Sequence, residues 1–458
     1  MNRKWLAVCV LAASVAAFSS LAQARSRAVP VTHSVAPALI PGTRAEMNTA
    51  GFWIGLHPFP DRIILDGPSI REMNAAIRNE LKISYDISSF PASLPGAGVV
   101  GAMEQDLSSF RRGHLYSAGG KKLDAEAVRT VRANMNLESI PAEIRVQFGF
   151  VARSSPQRAL PCAGGYYLSK SFQDFDRLQI SVLDPGTPVA ILHTSRDGRW
   201  HYATAPHGEG WVDSDAVSHC PVELLRKHLS RPGFIVVTSP KADIFTDPGL
   251  TAYRDRARMG TRLPLLNESR DSVEVLLPSR DKAGRCSFSS GFIRKKDVHN
   301  GYLPYTPRNI LLQAFEFLNE PYGWGDLNGE QDCSTFIRNV FATVGIELPR
   351  NSLFQSRTGR PMELAGRGAA ADKNSLLALK GVGGITLLRM KGHIMLYLGS
   401  ANGVPYVIHA IWGYRQKDKR REVMRVVNRV VVTSLSLGKD TRAGSFLDRI
   451  DTARVMGR

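Results

Sequence analysis

The stretch EQDCSTFIRNVFATVGIELPRN, residues 330–351, puts a cysteine at the first position of a helical pattern. After Cys333 the apolar residues Phe336, Ile337, Val340, Phe341 and Val344 recur at helical spacing. Gly345 supplies a stop signal and Pro349 lies just beyond it. Asp332 precedes the pattern and is a good N-cap. Cys333 therefore falls in a first helical turn, where unpaired N–H groups and the helix dipole favour negative charge. That position predicts a lowered thiol pKa, a thiolate nucleophile, and N–H groups able to hold an oxyanion. The alternative is a small buried cysteine that merely opens a core helix.

A thiolate enzyme also needs a base, and the base needs an orienting partner. GHIMLYLGSANGVPYVIHAIWG, residues 392–413, has two apolar runs around Gly399–Gly403. A hairpin turn centred on Ala401 puts His393 and His409 directly opposite each other, each eight residues from the turn. Their Cβ atoms then stand about 5 Å apart on one face. One ring serves as the base, and the other fixes its tautomer. Two ordinary core histidines, or a zinc site from Cys333, His393 and His409, are the rival readings. The trio lacks the close-spaced ligand pairs of common zinc sites.

Working outward, the 458 residues are enough for two to four domains, and 43% hydrophobic with 22% charged residues is globular composition. The start, MNRKWLAVCVLAASVAAFSSLAQA, has Arg3 and Lys4, an apolar run from Trp5 to Phe18, and a small-residue end at Ala22-Gln23-Ala24. It reads as an export signal over residues 1–24. The run is shorter than the roughly 20 apolar residues of a spanning helix, so no stable membrane insertion is expected after its removal. The formal net charge is +18, or +16 without that segment. Such a balance suits a polyanionic partner. No basic run interleaved with aromatics and no nucleic-acid-binding motif occurs, so nucleic acid is not an expected partner. Beyond Cys9, the cysteines are Cys162, Cys220, Cys286 and Cys333. Their wide spacings fit no zinc ribbon, and a Cys162–Cys220 disulfide is one reading for an oxidising compartment.

Residues 25–143 read as a linker followed by a mainly helical segment. In GPSIREMNAAIRNEL, Ser69 and Glu72 have capping-box spacing ahead of Met73, Ile77 and Leu81. LDAEAVRTVRANMN is a second amphipathic helix candidate. From about Ile144 short apolar runs are broken by Asp184-Pro185-Gly186, Asp197-Gly198 and His207-Gly208, the rhythm of a small β barrel. Trp200, Tyr202 and Trp211 are its expected core. GEGWVDSDAV and SSGFIRKKDV share an order of glycine, aromatic, aliphatic and a polar segment ending in Val. They predict a tandem pair, residues 144–220 and 221–303, similar to bacterial SH3-like modules, with one larger β domain as the alternative. Residues 304–458 begin with helices and end in a meander of strands, an α+β pattern. The fold class expected is therefore multidomain: a helical N-terminal segment, two small all-β SH3-like barrels and an α+β C-terminal domain.

EPYGWGD, DCSTFIRNVFATVGIELPRNS, KGHIMLYLG and YVIHAIWG together resemble the NlpC family of papain-like cysteine peptidases of bacterial cell walls. The resemblance implies hydrolysis of peptidoglycan stem peptides or muropeptides at the γ-D-glutamyl–diamino acid bond, without a cofactor or metal. It implies Cys333 as nucleophile, His393 as general base and later acid, and His409 as the orienting residue. Tyr322 would lie by the oxyanion site, and Asp332, Ser334, Arg350, Asn351 and Ser352 would line the substrate cleft. Two departures stand out. The usual Tyr-x-Trp-Gly-Gly ends here in Asp326, and relatives that require a free N-terminal amine often carry Asp where this chain has Asn351. An exported, periplasmic or wall-associated monomer follows from the same reading. A non-catalytic wall-binding protein, or an amidase or acyl transferase on the same fold, are its rivals.

Overall fold

The apolar runs of the C-terminal third build one seven-stranded sheet, seen in a computed structural model that describes residues 32–363, 370–419 and 421–457. The export-signal reading, residues 1–24, lies outside the described residues. The chain divides into two compact units. One contains Lys82–Ser230 and Pro278–Phe288; the other contains the described residues up to Leu81, Arg231–Leu277, and Ser289 onward. The helices of the N-terminal segment are thus divided between the units rather than gathered into a domain of their own.

In the first unit, helices Gly96–Arg112 and Ala125–Met135 accompany a β module. Asp124 caps the second helix through the Ala127 N–H. The module's sheet runs in the order Val217–His219, Gln147–Val151, Pro188–Thr194, Trp200–Ala205, Gly208–Asp213, Ser155–Arg158, Gln179–Leu183. Gly186 and Gly198 both adopt positive φ at the turns where the sequence showed Pro-Gly and Asp-Gly breaks. Tyr202 and Trp211 are fully buried in the core, as expected, while Trp200 is only partly covered.

The second β module has a smaller, aliphatic core of Ile235, Val237, Ile244, Leu263, Val275 and Ile293. The tandem repeat is visible in local structure. Gly208–Asp213 is followed by a 3-10 turn Ser214–Ala216 and a strand Val217–His219. Cys286–Arg294 is followed by a 3-10 turn Lys295–Asp297 and a strand Val298–Asn300.

The C-terminal sheet runs in the order Thr32–Val35, Arg421–Ser434, Val404–Asp418, His393–Ala401, Thr386–Met390, Ile450–Val455, Arg360–Met362. Its first member comes from the segment expected to be a linker, and it pairs in parallel with Arg421–Ser434. Helix Gly67–Leu81 buries Ile77 as expected, but its start differs. Asp66, not Ser69, provides the cap, accepting from the Ser69 N–H at 3.0 Å. A carboxylate one turn earlier outcompetes the hydroxyl because it accepts charge-assisted bonds. Among the described residues no helix is long and apolar enough to cross a membrane.

The Cys162–Cys220 pairing is not present: all four described cysteines are free thiols. Cys220 Sγ instead lies 3.4 Å from the Pro221 carbonyl.

Candidate active site

Cys333 opens helix Cys333–Ala342, whose residues Phe336, Ile337, Val340 and Phe341 are wholly buried. Asp332 caps it, with one carboxylate oxygen accepting from Ser334 N–H at 3.1 Å and Thr335 N–H at 3.0 Å. Gly345 ends the segment at a φ of 84°. Up to this point the local structure follows the sequence pattern.

The thiol's electrostatics do not. Burial, aided by the negative charge of Asp332, pushes the Cys333 thiol up to about 12. The nearby Ile394 and Ser334 N–H groups and the charge of Arg350 pull it down, but they are outweighed. The expectation of a lowered pKa is therefore corrected. A helix terminus lowers a thiol pKa where water can reach it; here only 8% of Cys333 is exposed.

The two histidines meet, though not in the expected register. The hairpin turns at Asn402-Gly403, with Ala401 paired to Val404, and a bulge at Leu398 shifts the pairing so that Leu396 faces Ile408. Carried on, that register sets His409 beside Met395, so His393 is a diagonal neighbour on the same face. The rings still bond directly, with His393 Nε2 2.6 Å from His409 Nδ1. His409 Nε2 lies 3.0 Å from Thr433 Oγ1, and the Phe446 ring packs edge-on at 5.8 Å. Burial pushes His393 down to about 3, with the charge of Arg449 acting in the same direction. Burial also holds His409 well below its ordinary value. At rest the site is a thiol and two neutral imidazoles. A consistent proton arrangement has His393 Nε2–H donating to His409 Nδ1 and His409 Nε2–H donating to Thr433 Oγ1. His393 Nδ1 is then the basic nitrogen. The Ile394 N–H that acts on the sulfur belongs to the residue after His393, so the strand His393–Ala401 brings His393 to the end of the helix that Cys333 opens.

The remaining expected residues divide into two groups. Tyr322 is half-buried; burial first, then the charges of Cys333 and Asp332, raises its phenol well above the ordinary value. Asp332, Ser334 and Arg350 are tied to one another. Arg350 donates to both Asp332 oxygens at 3.1 and 2.7 Å and to Ser334 Oγ at 2.8 Å. Asn351 and Ser352 lie further along: Asn351 caps the short helix Ser352–Gln355 through the Leu353 N–H at 2.8 Å, and both are half-buried.

Sequence reasoning missed the support beneath this knot. Asp326, the residue in place of the usual second glycine, is fully buried at a left-handed φ of 66°. It receives Arg258 at 2.9 Å, Arg350 at 3.1 Å and the Thr335 hydroxyl at 2.5 Å, with Arg338 at 3.8 Å. Burial alone would raise its carboxyl, but the three guanidinium charges and the hydroxyl hold it well below the usual carboxylate range. Arg258 comes from strand Tyr253–Arg258 of the second β module. Thr433 and Phe446 were also missed. Only Asp326 carried a signal, as a departure from the glycine pattern.

Among the described residues no group of three or more His, Cys, Asp or Glu side chains is arranged to hold a metal.

Comparison with known proteins adds to this geometry. Residues 319–416 match the NlpC/P60 family, and residues 168–213 match an SH3 domain of the SH3b1 type. The chain is 34% identical over 128 residues to a gamma-D-glutamyl-L-lysine dipeptidyl-peptidase of Bacillus cereus. That match covers 28% of this chain and 37% of the relative's length. The fold is similar to that of a solved NlpC/P60 endopeptidase from Photobacterium damselae subsp. piscicida, with a TM-score of 0.73. The two are 20% identical, and the match covers 93% of this chain and 98% of that one.

Proposed function

We propose, from the premise that the chain carries an NlpC/P60 family domain behind an SH3 domain of the SH3b1 type, that it is a cysteine peptidase of bacterial cell-wall peptidoglycan. The bond assigned to it is the one between γ-D-glutamate and the following diamino acid in stem peptides. The observation that carries this reading is the bonded row His393–His409–Thr433, whose strand also carries Ile394, the residue whose N–H lowers the Cys333 thiol. A binding protein has no use for a buried imidazole pair on the strand beside a helix-opening cysteine.

The chemistry follows from the resting protonation. His393 Nδ1 takes the thiol proton as the sulfur attacks the amide carbonyl. Burial disfavours a lone thiolate and a lone imidazolium, but formed together in a low-dielectric site they stabilise each other. His409 Nδ1 accepts from the imidazolium and holds its orientation. The imidazolium then protonates the leaving amine, a thioester remains on Cys333, and water, activated by His393, releases the acid. The N–H groups of Ser334 and Thr335 are engaged by Asp332. The oxyanion donors proposed are therefore the Cys333 N–H and the Tyr322 hydroxyl. The Asp332–Ser334–Arg350 knot forms one wall of the cleft, and Asn351 and Ser352 extend it toward the amine end of the substrate. Asn351 is an amide, so the reading includes peptides without a free terminal amine. The net charge of +16 that remains without residues 1–24 suits an exported enzyme working on an anionic wall.

The test is to incubate the protein and its Cys333→Ala variant with a free stem tetrapeptide and with intact muropeptides, and to weigh the products. Release of L-Ala-γ-D-Glu by the wild type alone is the expected outcome. Cleavage between sugar and L-Ala would make it an amidase. Tight binding to sacculi without cleavage would leave a wall-binding protein.

A further inference from the structure

Cys220 and Cys286 lie 66 residues apart in sequence and within one unit in space. Strand Val217–His219 ends beside residues 281–285 of the hairpin tip. There the His219 N–H donates to the Gly284 carbonyl at 2.8 Å, and His219 and Arg285 form a parallel bridge. Arg280 Nε adds a second tie to the Val217 carbonyl at 3.1 Å. Cys220 and Cys286 are the next residue on each of these two parallel segments. Parallel neighbours stand about 4.8 Å apart, inside the roughly 4.4–6.8 Å between Cα atoms that a disulfide spans. Side chains alternate in step along parallel segments, so the two thiols leave on the same face. Both enter one core, Cys220 buried within it and Cys286 packed against it with Phe288.

The pair is also chemically asymmetric. The nearest carbonyls to the two sulfurs are their own neighbours', Pro221 O at 3.4 Å from Cys220 Sγ and Ser287 O at 3.6 Å from Cys286 Sγ, and the interaction between the two thiols brings Cys286 down to about 7 while Cys220 is pushed up. Cys286 is the half-exposed member and Cys220 is only 6% exposed. The reachable sulfur is thus the one poised as thiolate. Cys162 stands apart, its sulfur facing the Gly164 carbonyl at 3.8 Å.

We propose that Cys220 and Cys286 are a redox site that closes to a disulfide when the chain meets a disulfide oxidant. The Cys286 thiolate attacks one sulfur of the oxidant, forming a mixed disulfide and releasing one thiolate. The Cys220 thiol then loses its proton to solvent and attacks the Cys286 sulfur, releasing the second thiolate. Two protein thiols are oxidised, one oxidant disulfide is reduced to two thiols, and Cys333 takes no part. The closed bond fixes the 278–288 tip to the end of the first β module.

The test is to treat the full reduced chain with glutathione disulfide, alkylate without reduction, digest, and map the peptides by mass. One cross-linked peptide joining Cys220 to Cys286 is expected, with Cys9, Cys162 and Cys333 alkylated. Cys162→Ser should leave the cross-link intact, and Cys286→Ser should abolish it. A Cys162–Cys220 link, glutathione retained on Cys286 without resolution, or five alkylated thiols would each overturn the proposal. The readout does not use activity, so it stands or falls apart from the peptidase reading.

Discussion

Each of the two β modules buries an arginine–aspartate pair, and the two pairs are placed differently. In the first module Arg158 meets Asp176 at 3.0 Å, and its other donors go to the nearby carbonyls of Cys162 and Gly164. The pair closes on its own module. In the second module Arg258 reaches out of its sheet to Asp326, the residue behind the Arg350–Asp332 knot and the Cys333 helix. The cores follow the same division. The first is large and aromatic, around Tyr202 and Trp211; the second is small and aliphatic. One copy of the repeat closes its buried pair on itself and shares its core with the helices Gly96–Arg112 and Ala125–Met135, while the other sends its arginine to Asp326.

The comparison breaks most clearly if the aspartates are removed. Asp326→Ala removes a carboxylate shared by three buried guanidinium groups, of which Arg350 keeps Asp332, and Asp176→Ala removes the carboxylate that meets Arg158. Each should cost about 3–5 kcal/mol by denaturant unfolding. Only Asp326→Ala should also lower kcat, because only Asp326 supports the residues around Cys333. Equal losses of kcat in both variants would erase the distinction.

A smaller effect is expected within the histidine line. Thr433→Val leaves a buried His409 nitrogen without its partner, a cost of about 1–3 kcal/mol. If that cost falls on the transition state, kcat drops about tenfold with little change in KM, and Thr433→Ser restores most of it.

The resting protonation gives a pH test. His393 has its pKa lowered from 6.5 to about 3, so the unfolded chain binds more protons than the folded one between those values. Stability is therefore fully present above pH 6.5 and falls as the pH drops toward about 3. His201 of the first module, lowered to about 4 by burial, adds a slope of the same sign. His393→Gln should flatten one contribution and His201→Gln the other, measured as unfolding midpoints between pH 4 and 7. The raised Cys333 thiol predicts no thiolate absorbance at neutral pH in the free enzyme; an ion pair visible at pH 7 would contradict the neutral resting state.

The smallest change concerns Arg449. Its charge adds to burial in lowering His393, so Arg449→Gln should raise the His393 pKa, seen as a shift of its imidazole titration to higher pH.

Much of this site was legible in sequence because it rests on local signals. The cap at Asp332, the apolar stripe behind Cys333 and the two strands around Gly399–Gly403 are all short-range patterns. The hairpin register was not legible, because a bulge at Leu398 depends on packing that no alternation reports. The thiol pKa was misjudged because a helix terminus can be read from sequence, whereas the depth of burial cannot. Thr433, Phe446 and Arg258 come from distant segments and reach the site only through tertiary pairing. The strand Thr32–Val35 was hidden for a similar reason, since four residues of no marked pattern became an edge strand only by meeting Arg421–Ser434. The helical segment before residue 144 read as one block because helical signals do not say which core a helix will join.

The left-handed aspartate at position 326 also constrains how this chain can have changed over time. Restoring glycine there would ease the backbone but take from Arg258, Arg338 and Arg350 the carboxylate they share, leaving Asp332 on Arg350 to offset their charge. Replacing Arg258 first would leave the carboxylate short of a partner it needs in a dry interior. Neither residue can drift alone, so the second β module and the C-terminal domain are bound by history as well as by the Arg258–Asp326 contact. Asp326→Gly combined with Arg258→Met should be milder than the sum of the single changes, which is the signature of such a lock.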